Sequence, residues 1–176
     1  MMQRIVVVGP PGSGKTTVAR EIAARLELPH IELDSVWWEP NWTEAGAEVF
    51  SERAAKIVTD DKWVLDGNYF SVGARDVIWP RADTIVWLDL ARWVTVPRVV
   101  KRTVIRGIRR TELWSGNRES LKLALRPDSI VWFAWRAHPK YNKRYEGLVD
   151  DPDLAHLTWV RLRDPRDVRR WVSTLS

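Results

Sequence analysis

Eight residues near the start of the chain, Gly9 to Thr16, read G-P-P-G-S-G-K-T and fill every fixed position of the phosphate-binding pattern G-x-x-x-x-G-K-[ST]. Glycines at 9, 12 and 14 let the backbone fold round a polyphosphate with several N–H groups turned inward, where side chains would obstruct. Lys15 supplies a point charge for the β/γ-phosphates and the Thr16 hydroxyl suits Mg²⁺. The candidate nucleotide cradle is therefore Gly9 together with Gly12, Ser13, Gly14, Lys15, Thr16 and Thr17. Two acids compete to hold a Mg²⁺-bound water beside Thr16: Asp66, the preferred one, and Asp89. Each ends an apolar run, and the sequence leaves open which of the two runs adjoins the first. Asp34 is the candidate acceptor-side group, a carboxylate placed to accept a hydroxyl proton. Wound at roughly 100° per residue, Arg98, Arg102, Arg106 and Arg109 fall within a wedge of about 80°. Such a stripe suits the charge on a transferring phosphoryl group, and Arg118 extends it. The plain alternatives are caps or turns for the carboxylates and a solvated helix face for the arginines.

Positioning these groups falls to alternating strands and helices. Arg4 to Val8 is a short β-branched run before the glycines, and Thr17 to Leu26 is helical in pattern after them, which puts a helix N-terminus behind the phosphates. Pro29 to Asp34 reads as a strand ending in an acid, Thr43 to Thr59 as a helix, Lys62 to Asp66 and Thr84 to Asp89 as strands. Arg92 to Arg109 reads as a helix that either starts near Thr95 or is kinked at Pro97. Thr111 to Asp128 reads as loop plus a short helix, and Ser129 to Leu148 as a helix interrupted or kinked near Pro139. Leu157 to Leu162 is the fifth strand, and Asp164-Pro165 marks the N-cap and first residue of the last helix. This alternation predicts an α/β fold with a parallel sheet covered on both sides and a ligand site beyond the strands' carboxyl ends.

The chain of 176 residues carries 28 Lys+Arg against 23 Asp+Glu, a net charge of +5. Arg98 to Lys122 holds eight basic residues and two acidic ones, so one segment accounts for the whole excess and calls for a polyanion. There is no cysteine, hence neither disulfide nor cysteine-ligated zinc, and no histidine pair has metal-ligand spacing. The start shows no signal-peptide pattern and Ser129 to Trp135 is too short to cross a bilayer, so a cytoplasmic protein with no membrane partner is expected. Of the twelve tryptophans, Trp63, Trp87, Trp93, Trp132, Trp135, Trp159 and Trp171 fall at positions compatible with core faces, whereas Trp37, Trp38 and Trp42 sit in an expected loop.

The P-loop, the L-D after strand two, W-V-L-D-G-N-Y, I-V-W-L-D-L and the arginine-rich segment following it resemble the adenylate-kinase-like P-loop kinases. The resemblance extends to a bacterial branch labelled topology modulation protein or adenylate kinase-related kinase. It implies a three-layer P-loop fold with a five-stranded parallel sheet, ATP and Mg²⁺ as cofactors, an acceptor-binding insertion at about residues 35–60 and a lid at about 106–128. It also implies that the loop from Arg163 to Pro165 lies near the adenine. The expected activity is transfer of the γ-phosphate of ATP to a small acceptor, a nucleotide or nucleoside, with Lys15, Asp34, Arg102, Arg106 and Arg109 in the catalytic roles. A nucleotide-binding protein associated with DNA, or a P-loop NTPase, is the alternative. One departure bears on the acceptor: adenylate kinases continue strand three as D-G-F-P-R, whose arginine grips a phosphate, while here Asn68-Tyr69-Phe70-Ser71 follows Asp66-Gly67. Arg75 and Arg81 are the candidate substitutes for that anchor, and the three loop tryptophans could stack on a flat acceptor.

Overall fold

The computed structural model describes residues 2–109, 111–117 and 130–175. At its centre lies β1 (Arg4–Val8), whose last four residues are all buried. The main sheet joins it to β2 (His30–Glu32), β5 (Trp63–Asp66), β6 (Thr84–Leu88) and β7 (Thr158–Leu162) in the order β2-β5-β1-β6-β7, every pair parallel. A separate antiparallel hairpin pairs β3 (Trp38–Glu39) with β4 (Thr43–Glu44). Because side chains alternate along a strand, Val6, Val8, Leu65, Ile85 and Trp87 pack into one core layer and Ile5, Val7, Val64, Val86 and Leu88 into the other. Burial on both faces explains why these strands are continuous apolar runs rather than alternating ones.

On one side lie α1 (Lys15–Leu26) and α7 (Pro165–Ser173), which bring Val18, Ile22 and Val172 onto the second layer. On the other lie α2 (Leu33–Trp37), α3 (Ala47–Ile57), α4 (Ala74–Val77) and the long helix α6 (Ile130–Val149), contributing Leu33, Phe50, Ala74 and Tyr145. Helix α5 (Arg92–Arg109) follows β6 and packs against α6. It runs through Pro97, and α6 likewise runs through Pro139. As expected, Asp164 caps α7, its carboxylate accepting from the Arg166 N–H at 2.6 Å, with Pro165 in the first helical position.

Three expectations need correction. Strand β2 stops at Glu32, and Asp34 lies in the first turn of α2 instead of closing the strand. The helix expected from Thr43 begins only at Ala47, because Thr43 and Glu44 pair with Glu39 and Trp38 and Gly46, at φ 87°, makes the turn into α3. Trp93, Trp132 and Trp135 are not core residues: they are 81%, 49% and 48% exposed, on the outer faces of α5 and α6. Helical spacing made these positions compatible with core faces without saying which way each helix is turned. No helix among the described residues is long and apolar enough to cross a membrane.

Candidate functional site

The loop from β1 to α1 turns through Gly9, Gly12 and Gly14, all at positive φ, and Gly14 at φ 92° leads into α1. Helix α1 then starts at Lys15 with unpaired N–H groups facing the loop. This loop forms one wall of a cavity of about 1500 Å³. Its size exceeds the ~300–1,000 Å³ of a pocket for one small ligand, which leaves room for two. Pro11 to Val18 line that wall. Gly9 does not: its peptide lies behind, hydrogen-bonded to Asn68.

Lys15 Nζ donates to the carbonyls of Gly9 at 3.0 Å and Pro10 at 3.4 Å. Burial lowers its pKa, Asp34 and Asp66 pull it back up, and Arg102 lowers it again. The ammonium thus sits within the field of both candidate carboxylates and of an arginine from α5, which converge on the P-loop from three other elements.

Strand β1 lies between β5 and β6, so adjacency cannot choose between Asp66 and Asp89. Their partners do. Asp89 is held by Arg161 at 2.7 Å, with Arg163 at 3.6 Å, and does not line the cavity. Asp66 lines it, is 4% exposed, and its buried Oδ2 has no hydrogen-bond partner among the described residues. A buried carboxylate oxygen left in this state costs free energy unless a cation or an ordered water meets it. With the Thr16 hydroxyl in the same cavity wall, the donor set is all oxygen, which fits Mg²⁺. His30 Nε2 lies 3.7 Å from the other Asp66 oxygen. His138 Nε2 meets the Leu90 carbonyl at 2.8 Å and His156 Nε2 that of Trp79 at 3.2 Å, both structural contacts.

Opposite the P-loop, Asp34 accepts a hydrogen bond from Tyr69 Oη at 2.5 Å. Burial raises its pKa, the Tyr69 bond and Lys15 lower it, and Asp66 and Glu32 raise it further. The same cavity is lined by Trp37, Trp38, Trp42, Trp114, Phe133 and Tyr141, and by Arg144 from α6. Arg144 also lies over the Phe70 ring, 5.1 Å from its centroid. The two expected anchors are elsewhere: Arg75 is bonded to Asp151 at 2.8 Å, and neither it nor Arg81 lines the cavity. Arg144 escaped the sequence reading because its helix carried no motif. The signal was there in the aromatic pair Tyr141 and Tyr145 flanking it at helical spacing.

Three of the four α5 arginines, Arg98, Arg102 and Arg106, line the cavity, with Arg98 Nη1 3.5 Å from the Ser13 carbonyl. Arg109 lies outside it, exposed at the helix end, and Arg163 is also outside, drawn to Asp89. Pro165, Val168 and Arg169 of α7 line the end of the cavity where Arg163 was expected. Arg118, and the lid from about residue 118 onward, fall outside the described residues.

Residues 5–76 match a family model described as an AAA domain. The adenylate kinase of Moorella thermoacetica is 53% identical over 62 residues, covering 33% of this chain and 28% of that one. The shikimate kinase of Corynebacterium diphtheriae is 30% identical over 122 residues, covering 60% of this chain and 65% of that one. The chain thus matches less than two thirds of the length of either relative. Among solved structures, shikimate kinase from Acinetobacter baumannii in complex with shikimate superposes with a TM-score of 0.60 at 16% identity, over 99% of this chain and 90% of that one. Deoxyadenosine kinase from M. mycoides does so with a TM-score of 0.56 at 13% identity, over 97% and 94%. Strand order, phosphate-loop sequence and these likenesses agree: the chain has the fold of the P-loop kinases and is similar in sequence, over part of its length, to adenylate and shikimate kinases.

Proposed function

We propose that the protein is an ATP-dependent phosphotransferase that moves the γ-phosphate of ATP to a hydroxyl group of a small acceptor, a nucleotide or nucleoside. One observation carries this reading: a single cavity is lined both by the P-loop with Lys15 and by the half-buried carboxylate of Asp34, close enough that each shifts the other's pKa. The P-loop amides and Lys15 hold the β/γ-phosphates, and α7 closes the nucleoside end through Pro165, Val168 and Arg169. Thr16 and Asp66 are the residues that would hold Mg²⁺, which when bound neutralises phosphate charge. Asp34 orients the acceptor hydroxyl and takes its proton, while Tyr69 keeps the carboxylate in place. Arg98, Arg102 and Arg106 meet the negative charge on the transferring group. The aromatic side chains of the insertion at about 35–60 take up the flat part of the acceptor.

The same arginines speak against the DNA-bound alternative. Three of the four stripe arginines, Arg98, Arg102 and Arg106, line the cavity instead of following a duplex backbone, and Val100, Val104 and Ile108 of α5 are exposed aliphatic residues. The test is transfer of label from γ-labelled ATP to a panel of nucleosides, nucleotides and small alcohols. Label is expected on at least one acceptor, at a rate that Lys15→Ala abolishes. Label appearing only as orthophosphate, at a rate no acceptor changes, sinks the proposal.

Arg144 makes the acceptor class measurable. A hydrogen-bonded pair with an ionised group contributes about 1.5–3 kcal/mol, roughly 10- to 150-fold. Arg144→Ala is therefore expected to raise KM at least tenfold for an acceptor bearing a phosphate or carboxylate, with kcat nearly unchanged. An uncharged nucleoside should show no such change; equal effects on charged and uncharged acceptors would remove Arg144 from the acceptor site.

A further inference from the structure

Asn68, the first residue after Asp66-Gly67, has a definite structural use. Asn68 Nδ2 donates to the Gly9 carbonyl at 2.7 Å, and Asn68 Oδ1 accepts from the Gly9 N–H at 3.2 Å. The same Oδ1 accepts from Tyr145 Oη at 3.0 Å. Both lone pairs of that oxygen are thereby used, and the carboxamide grips one peptide group of the P-loop from both sides. Glycine is required at position 9 by the neighbouring strand: at φ 149°, a Cβ there would lie 2.7 Å from the Leu88 carbonyl oxygen. The grip bears on Lys15, since the Gly9 carbonyl that Asn68 holds is also the acceptor for Lys15 Nζ at 3.0 Å. On the other side, Tyr145 is fully buried against Trp79 and Trp87 and stacks on Tyr141, one turn away on the helix that brings Tyr141 and Arg144 to the acceptor side.

The geometry points to Asn68 as a positioning residue: it sets the first peptide of the P-loop in register with α6, so that phosphate binding depends on a link from the acceptor-side helix through Tyr145 and Asn68 to Gly9. Asn68 reaches the cavity wall, but its carboxamide oxygen is committed, one N–H serves the Gly9 carbonyl, and its side chain also hydrogen-bonds with Tyr141. It therefore acts through the loop it holds. Only the nucleotide-binding arm of the test rests on the phosphotransfer reading.

Two variants separate the contributions. Asn68→Ala removes all of these bonds, whereas Asn68→Asp keeps the acceptor but offers nothing to the Gly9 carbonyl. Hydrogen exchange is read on the protein without nucleotide, over residues 9–14 and, as a control, over α7. Both variants are expected to speed exchange in the P-loop at least tenfold and leave α7 unchanged. Tyr145→Phe, which removes only one of the bonds, should give about a two- to fivefold change. With a fluorescent ATP analogue and Mg²⁺, the Asn68 variants should bind at least tenfold more weakly than the unmodified protein. Unchanged P-loop exchange in both Asn68 variants, or equal acceleration in α7, overturns the inference. Should the unmodified protein fail to bind the analogue, the phosphotransfer reading falls and the exchange comparison still decides this one. If Asn68→Ala does not fold, Asn68→Asp carries the same comparison.

Discussion

Replacing Asp34 by asparagine is expected to slow phosphate transfer by about 10²- to 10⁴-fold, the usual worth of a general base, while leaving nucleotide affinity nearly unchanged and making the metal-free protein more stable at neutral pH. The two effects have one cause. Asp34 is half-buried in the first turn of α2, and burial, helped by Asp66 and Glu32, raises its pKa against the lowering by the Tyr69 hydrogen bond and Lys15. A carboxyl whose folded pKa lies above its unfolded value binds protons more tightly in the folded state. Its ionised form therefore opposes folding at pH values above the folded pKa, and that penalty fades as the pH falls toward the ordinary carboxylate value of 3.8. Asparagine carries no charge and can still accept from Tyr69, so the melting temperature should rise at pH 7. The gain over the unmodified protein should shrink as the pH is lowered toward 4. Thermal melts of the two metal-free proteins at both pH values check this, alongside transfer rates. Lower stability at pH 7 together with unchanged transfer would make Asp34 a plain structural carboxylate.

Gly12→Ala is expected to be the most damaging of the P-loop glycine substitutions. A Cβ at Gly12 would stand 2.2 Å from the Thr95 carbonyl oxygen and 2.7 Å from Val99 Cγ2, both on α5, and φ is 81°. The left-handed conformation costs about 1–2 kcal/mol for a residue with a Cβ, and forcing atoms into a packed contact typically adds about 1–3 kcal/mol. For a chain of this length the sum lowers the melting temperature by roughly 4–20 °C. Nucleotide binding should be lost with it, because α5 carries Arg98, Arg102 and Arg106 to the same cavity. Gly14→Ala is the control: φ is 92°, but the nearest atom, an Arg98 nitrogen, is 4.0 Å away, so only the conformational cost applies. Equal melting temperatures for the two variants would mean that α5 does not press on the loop.

That pair of glycines shows how far the sequence could be read. Gly14 occupies a fixed position of the phosphate-binding pattern; Gly12 occupies a variable one and was read as part of the same cradle. The close approach to Thr95 is a contact across 83 positions, which no local pattern records. Asn68 and Gly9 are likewise 59 positions apart, and Tyr145 and Asn68 are 77 apart.

The sequence by itself determined whatever depends on neighbours within a turn or a strand. The β-branched run, the glycines and the following helical pattern define β1, the P-loop and the start of α1, because turn geometry and phosphate chemistry act over a few residues. The apolar runs of β5 and β6 and the Asp164 cap of α7 are local in the same sense. The stripe of Arg98, Arg102 and Arg106 also followed from helix geometry alone. Only the tertiary structure decided that Asp66 lines the cavity while Asp89 is held by Arg161, that Arg109 and Arg163 lie outside, and that Arg144 lies within. Each of these turns on which way a strand end or a helix is rotated against its neighbours. That rotation is set by side-chain packing between elements far apart in the chain, so a residue's type and spacing name its chemistry without saying what it will face.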